Sequence, residues 1–266
     1  MDENQKTSDS PQRNINPAPS PWHDLRAQVF FSIARANWAD GLPRGSYGDL
    51  EASAPFSDPE KSGKFEGGFS FCMIVRYLES PVGPYDEILW VPGLFQDPRH
   101  GESVKRYRIT RIYVSSVDSI YNGRRNWNIP KTLANFEFVP SDCPHPPYRQ
   151  IKVSLPGSPE QPFVSLDLRP TALTSRPLFP ISTRYIPMNL EIVIPPIPES
   201  DNWRENGLVG SHNDEWRSVQ VDISGKAGIV RVGGELGDGD SFPKLNWNGL
   251  WFWLDDAKMA CMNVGE

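Results

Sequence analysis

The run NWNIPKTLANFEF, Asn126 to Phe138, holds a single cation, Lys131, directly behind Pro130. A lysine in such apolar text has two uses. Buried, its ammonium form is disfavoured, its pKa falls, and the neutral amine attacks a carbonyl to give a Schiff base. From an ordinary pKa of about 10.4 a working nucleophile must drop by roughly 3 to 4 units, on the order of 4 to 5 kcal/mol, which full burial supplies. In the other use the stem packs on a sheet while the head reaches water. Pro130 rigidifies the approach in either case and pushes Ile129 into an extended conformation.

A second candidate is Glu87, in GPYDEILWVPG, where a glycine-proline turn opens an apolar strand. Pointing inward it protonates a carbanion or positions a substrate; at an exposed strand end it is only a solvated acid. Asp86 projects to the opposite face, so at most one of the two looks inward. Arg76, Arg111, Arg124 and Arg125 suit bidentate capture of a carboxylate, although surface ion pairing is the commoner use. Arg111 lies mid-strand between Ile109 and Tyr113, where an unpaired cation is costly.

Other features point away from chemistry. GGELGDGD, Gly233 to Asp240, lacks the Lys and Ser/Thr of a phosphate loop and carries acids that repel phosphate, so it is expected as a long turn. The four histidines are isolated and the three cysteines show no CxxC spacing, which leaves no expected metal site. No GxSxG elbow occurs. The cluster Trp247, Trp251, Phe252 and Trp253 suits core packing or a subunit contact.

The elements that must position these residues are mainly strands. Gly68–Tyr77, Glu87–Val91, Arg108–Ser115, Asn135–Phe138, Ile151–Leu155, Phe163–Leu168, Leu190–Ile194, Ser218–Ile223 and Gly228–Val232 are short, rich in β-branched and aromatic residues, and bounded by Gly, Pro, Asn or Ser. Together they predict a barrel or sandwich with few helices. Neither face of RITRIYVSS is cleanly polar, so that strand is covered on both sides. VDSIYNGRRNW has room for about two helical turns, with Asn122-Gly123 as the stop. Residues 24–41 fit a short helix or a strand. Of the 27 prolines, 14 fall between Pro140 and Pro198, which predicts edge strands and long connections there.

At 266 residues with net charge −6, the chain has no global basic field for nucleic acid or an anionic membrane. Polar, proline-containing residues 1–22 read as a disordered tail before a single domain, 23–266. With no apolar leader and no long apolar run, the expected location is the cytoplasm.

GPYDEILWVPG, RITRIYVSS and NGRRNWNIPKTLANFEF together resemble the acetoacetate decarboxylase superfamily, particularly its fungal-type members. The most specific element is Gly123-Arg124, then Pro130-Lys131, then Leu133-Ala134. The resemblance implies a closed β-cone or barrel wrapped by antiparallel sheet, Lys131 as Schiff-base nucleophile and Glu87 as the acid in the pocket. Arg111, Arg124, Tyr113 and Trp127 are the candidate substrate-binding residues. It implies a lyase, decarboxylase-like or a related cyclase or isomerase, that needs no cofactor or metal. The expected partner is a keto acid or polyketide-like compound in secondary metabolism, and the expected assembly a homo-oligomer.

Two departures qualify the substrate. The second lysine that true decarboxylases carry next to the nucleophile, a case cited as a standard example of pKa depression, is Thr132 here. Their second glutamate has no match among Phe71, Cys72 and Met73, and Arg44 is the nearest match to their pocket arginine. A larger, more apolar ligand than acetoacetate is expected, and a non-covalent barrel that binds or cyclises an apolar metabolite is the alternative. A purely structural role, with the tryptophan-rich C-terminus as interface, ranks third.

Overall fold

The computed structural model describes residues 14–264 apart from residues 37, 39, 40, 102 and 173. Its strands in chain order are β1 (Trp22–Arg35), β2 (Phe65–Gly67), β3 (Phe69–Glu79), β4 (Tyr85–Val91), β5 (Leu94–Gln96), β6 (Lys105–Tyr107), β7 (Arg111–Val114) and β8 (Lys131–Leu133). There follow β9 (Asn135–Pro140), β10 (Tyr148–Ser154), β11 (Pro162–Pro170), β12 (Phe179–Ser182), β13 (Ile192–Ile194), β14 (Arg217–Leu236) and β15 (Gly249–Asn263). The helices are α1 (Asp49–Ala52), α2 (Pro59–Ser62), α3 (Val117–Trp127) and α4 (Trp203–Asn206). The protein is mainly β, as its sequence predicts.

Six strands, in the order β7-β4-β3-β1-β15-β14, form a continuous antiparallel wall. From β14 the sheet leaves in two directions. One branch runs through β13 to β6, and residues 108–110 carry the chain from β6 back to β7. The other runs through β11, β10 and β9, and Ala134 joins β9 to β8, which pairs with β7. Each circuit is open in its hydrogen-bond ladder and bridged by the covalent chain.

The wall therefore has an enclosed core on each face, which is why its strands are apolar on both sides. Val29, Val75, Ile112 and Leu254 enter the first core, while their chain neighbours Phe30, Ile74, Tyr113 and Trp253 enter the second. All four residues of β7 are buried, as the mixed faces of RITRIYVSS require. The C-terminal tryptophans divide by the same alternation: Trp251 and Trp253 fill the second core, and Phe252 points the other way at 42% exposure.

Several boundaries differ from the sequence expectation. Of the two readings open for residues 24–41, the strand is the one found, over 22–35, with Trp22, Leu25, Ala27 and Val29 facing one core and Phe30 the other. The two predicted strands 218–223 and 228–232 are one long strand with a bulge between Ser224 and Ala227. The expected turn at Gly233 starts only at Gly237, since residues 233–236 still pair with β11. Strand β15, which joins β1 to β14, is not among the expected strands. Of the proposed 1–22 tail, residues 1–13 lie outside the described residues. Residues 14–21 lie along α3, where the buried Ala18 donates to Asn122 Oδ1 at 2.6 Å and accepts from Asn126 Nδ2 at 2.8 Å.

Candidate active site

Helix α3 plugs the first core. Its N-terminus is capped by Ser116, which accepts from the Ser119 N–H, and Val117, Ile120 and Trp127 pack inward. It does not stop at Asn122-Gly123 but runs on to a left-handed Asn128, φ 56°. Gly123 serves a different purpose. A Cβ there would sit 2.5 Å from Lys131 Cδ and 2.7 Å from its Cε, so the missing side chain is the slot through which the lysine stem passes. Ser119 and Gly123, spaced i and i+4, present one small face to that stem.

Strand β8 runs parallel to β7 with Lys131 opposite Ile112, which sets Lys131 on the first-core face. Tyr85 and Glu87 reach the same face from β4. The Lys131 ammonium donates to Glu87 Oε2 at 2.8 Å, to Ser119 Oγ at 3.0 Å and to Tyr85 OH at 3.4 Å. Lys131, Glu87, Tyr85 and Ser119 are all buried. An ammonium has three N–H donors, and each has a partner here.

Burial alone pushes the lysine pKa down, as the sequence argument assumed. The Glu87 carboxylate outweighs it by charge and hydrogen bond, with Tyr85 adding in the same sense, and the lysine is held above its ordinary value. The resting site is thus a buried ion pair and not a free amine, which corrects the expected depression. The same burial pushes the Tyr85 phenol and the Cys261 thiol up to about 12, so both stay protonated at neutral pH. Tyr77, stacked on Tyr85 with centroids 4.4 Å apart, is pushed up as well.

The other candidates do not join this cluster. Arg111 and Tyr113 lie on the opposite side of β7 from Ile112, bonded to each other, and both donate to the Ser241 carbonyl, at 2.7 and 2.9 Å. Arg124 is fully buried and donates to Glu51 Oε1 at 2.8 Å and to the carbonyls of Val209, Pro198 and Lys131. It ties α3 and β8 to two loops. Trp127 packs edge-on against Trp22 at 5.0 Å. Arg44 is an exposed partner of Asp240 at 2.7 Å. Thr132 is in register with Tyr113, so the residue after the lysine belongs to the other face. Met73 and Phe71 pack against the first core and Cys72 lies in the second, so no second carboxylate stands near Glu87 on β3.

No family profile matches the sequence, and no curated protein does either. Solved structures do match. The acetoacetate decarboxylase from Legionella pneumophila subsp. pneumophila str. Philadelphia 1 aligns over 99% of this chain and 96% of its own, with a TM-score of 0.57 and 11% identity. A second acetoacetate decarboxylase structure aligns over 92% and 87%, with a TM-score of 0.55 and 12% identity.

The fold is that of acetoacetate decarboxylase.

At such identities the likeness carries the architecture, and the chemistry has to be argued from the residues. Within the acetoacetate decarboxylase fold, the first core sets one buried amine beside one buried carboxylate, with the hydroxyls of Tyr85 and Ser119 on the amine and Tyr77 and Cys261 close by. Two members of that set, Ser119 and Tyr85, had no role in the sequence reading. The i, i+4 spacing of Ser119 and Gly123 on the predicted helix, and the two-residue step from Tyr85 to Glu87, were the signals for them.

Proposed function

We propose that the protein is a Schiff-base lyase in which Lys131 is the nucleophile and Glu87 the acid and base. The observation that carries this is the 2.8 Å contact between a buried amine and a buried carboxylate. The pair has no net charge, and moving one proton from Lys131 to Glu87 converts it to a neutral amine and a carboxylic acid without creating charge in the core. The ion pair is the resting form and the neutral pair the reacting form. This route needs no cationic neighbour, which suits Thr132 in that place.

The balanced sequence is short. The Lys131 nitrogen bonds to the carbonyl carbon, the oxygen takes protons from Glu87 and from the amine, and it leaves as water. The iminium draws the electron pair of the adjacent C–C bond when a β-carboxylate departs as carbon dioxide, giving an enamine. Glu87, which has given up its proton, takes one from solvent and passes it to the enamine carbon, and attack of water on the resulting iminium returns ketone and amine. Tyr85 and Ser119, both neutral, hold the nitrogen in place throughout. The same iminium also supports isomerisation, dehydration or cyclisation of a keto compound without a β-carboxylate.

A second reading rests on the complete pairing of the Lys131 donors. A fully satisfied ion pair also serves as a polar anchor in a compartment that binds an apolar metabolite without covalent chemistry. Reductive trapping separates the two. Incubation with a series of keto acids, from acetoacetate to larger apolar ones, and sodium cyanoborohydride, followed by mass measurement, is expected to give an adduct on wild type and none on Lys131→Ala. No adduct, or equal adducts on both proteins, sinks the Schiff-base reading.

A further inference from the structure

We propose that Arg108 is an anion site whose ligand is an organic carboxylate. The site lies outside the Lys131–Glu87 pair and does not depend on the chemistry assigned to that pair.

Three arginines are buried among the described residues, and the fold treats them differently. Arg124 has a carboxylate, Glu51, at 2.8 Å and three carbonyls besides. Arg111 bonds to the Tyr113 hydroxyl and, at 2.7 Å, to the Ser241 carbonyl. Arg108, 1% exposed, finds hydrogen-bond acceptors among the described residues only on Ser62: Nη1 donates to its hydroxyl at 3.3 Å and Nη2 to its carbonyl. Its Nε is buried with no acceptor. Asp97 is the acid whose charge Arg108 feels, but Arg99 holds that carboxylate at 2.8 Å and His100 at 3.0 Å. The rings of Phe95 and Trp216, with centroids 4.3 and 5.7 Å from the guanidinium carbon, offset part of the desolvation cost. Burial still pulls Arg108 down to about 10. Thr110, two residues on, holds a second buried hydroxyl without a partner.

A buried cation without an anion costs several kcal/mol, and an apolar residue of similar volume avoids that cost. Stability therefore gives no reason to keep Arg108, and a ligand does. The open group sets the ligand's chemistry. The Nε edge of a guanidinium carries two parallel N–H groups, a fork that fits both oxygens of one carboxylate. A phosphate dianion calls for a second cation, and Arg99, which stands over the same Trp216 ring at 5.1 Å, is committed to Asp97. Two flanking aromatic rings favour an organic acid over a strongly hydrated inorganic ion. Burial pushes the phenol of Tyr47 above its ordinary value although it feels the Arg108 charge, so a protonated hydroxyl faces the same cation. Residues 108–110 bridge β6 to β7, and from Arg108 to Ile112, the partner of Lys131, is at most about 14 Å of chain. The same carboxylate chemistry thus has two sources, the far end of the ligand on Lys131 or a separate acid.

The first test is calorimetry on the full-length protein with hexanoate and, as its uncharged counterpart, hexanamide. Hexanoate is expected to bind, and hexanamide to bind at least tenfold more weakly. Arg108→Met is expected to remove that difference. Arg108→Lys, which keeps the charge, loses the fork and guards against a folding failure in the methionine variant, is expected to retain part of it. The second test sets the source. Methyl ketones ending in a carboxylate, from 4-oxopentanoate to 7-oxooctanoate, are trapped with cyanoborohydride beside uncharged methyl ketones of the same length. A keto-acid preference that Arg108→Met erases assigns the carboxylate to the Lys131 ligand, and hexanoate binding without such a preference assigns it to a separate acid. Loss of all trapping with hexanoate binding intact removes the Schiff base and keeps the anion site. Equal binding of hexanoate and hexanamide by wild type overturns the proposal. So does unchanged hexanoate affinity in folded Arg108→Met or, where that variant does not fold, in Arg108→Lys.

Discussion

Two buried charges 2.8 Å apart are worth more as a pair than either is alone. Removing one partner from such a pair strands the other, at a typical cost of about 3 to 5 kcal/mol, whereas replacing both by apolar groups of similar volume is close to neutral. Glu87→Ala is therefore expected to lose about that much in urea unfolding, and Glu87→Leu combined with Lys131→Met to recover most of it. Asp86, one residue away on the other face, behaves oppositely. Burial pushes its carboxyl up to about 6 against the pull of Arg76, 3.6 Å away. Its folded pKa lies above its unfolded value, so the native state binds the extra proton and the contribution of Asp86 to stability falls as pH rises from about 4 to 6. Asp86→Asn is expected to remove that slope and to gain on the order of 2 kcal/mol at pH 7. Identical pH slopes for wild type and Asp86→Asn over the same window contradict this assignment.

Lys131 and Glu87 were readable because their sequence surroundings are distinctive. Arg111, Arg124, Tyr113 and Trp127 are distinctive too, and yet the structure gives them internal partners. Residue type alone says that a buried arginine needs an acceptor, and cannot say that Glu51, 73 positions away, supplies it.

Helix α3 is where element and chemistry meet. Gly123 reads as a helix stop from its neighbours, but its role is set by Lys131, a contact eight residues on that only the tertiary fold creates. Gly123→Ala has to displace the lysine stem and is expected to cost about 1 to 3 kcal/mol while preserving the helix by circular dichroism. It should also abolish reductive trapping, since the amine loses its position beside Glu87. Trapping that survives in a folded Gly123→Ala protein means the stem has another route. Arg124→Met leaves Glu51 buried and unpaired, and is expected to cost about 3 to 5 kcal/mol without altering the residues that touch the amine. Strand positions were legible by alternation, whereas β15 was not, because Trp251 and Trp253 face one core while Leu254, Ala257 and Met259 face the other, which leaves no polar face to mark the strand.

At the scale of the molecule, six strands serve two cores, and neither core exists without the shared wall. We expect residues 23–266 to unfold as one unit, so that tryptophan fluorescence, reporting the first core through Trp22 and Trp127 and the second through Trp90, Trp251 and Trp253, and far-UV circular dichroism share one midpoint. Trp253→Ala in the second core and Ile120→Ala in the first are expected to move that same midpoint. Two separable transitions contradict a common wall. The fold class was legible from many short strands, but the two closures, residues 108–110 and Ala134, were not, because each depends on which distant strand β14 pairs with.

The central claim is that the Lys131 proton moves within the pair and not to solvent. The most direct measurement is the initial rate of cyanoborohydride trapping at Lys131, located by peptide mass, from pH 6 to 9 with corrections for reductant decay. A nearly level rate is predicted, since the pair holds its one proton across that range. A rate that climbs about tenfold per pH unit, as for an amine titrating against solvent, or an adduct at any other lysine, contradicts it.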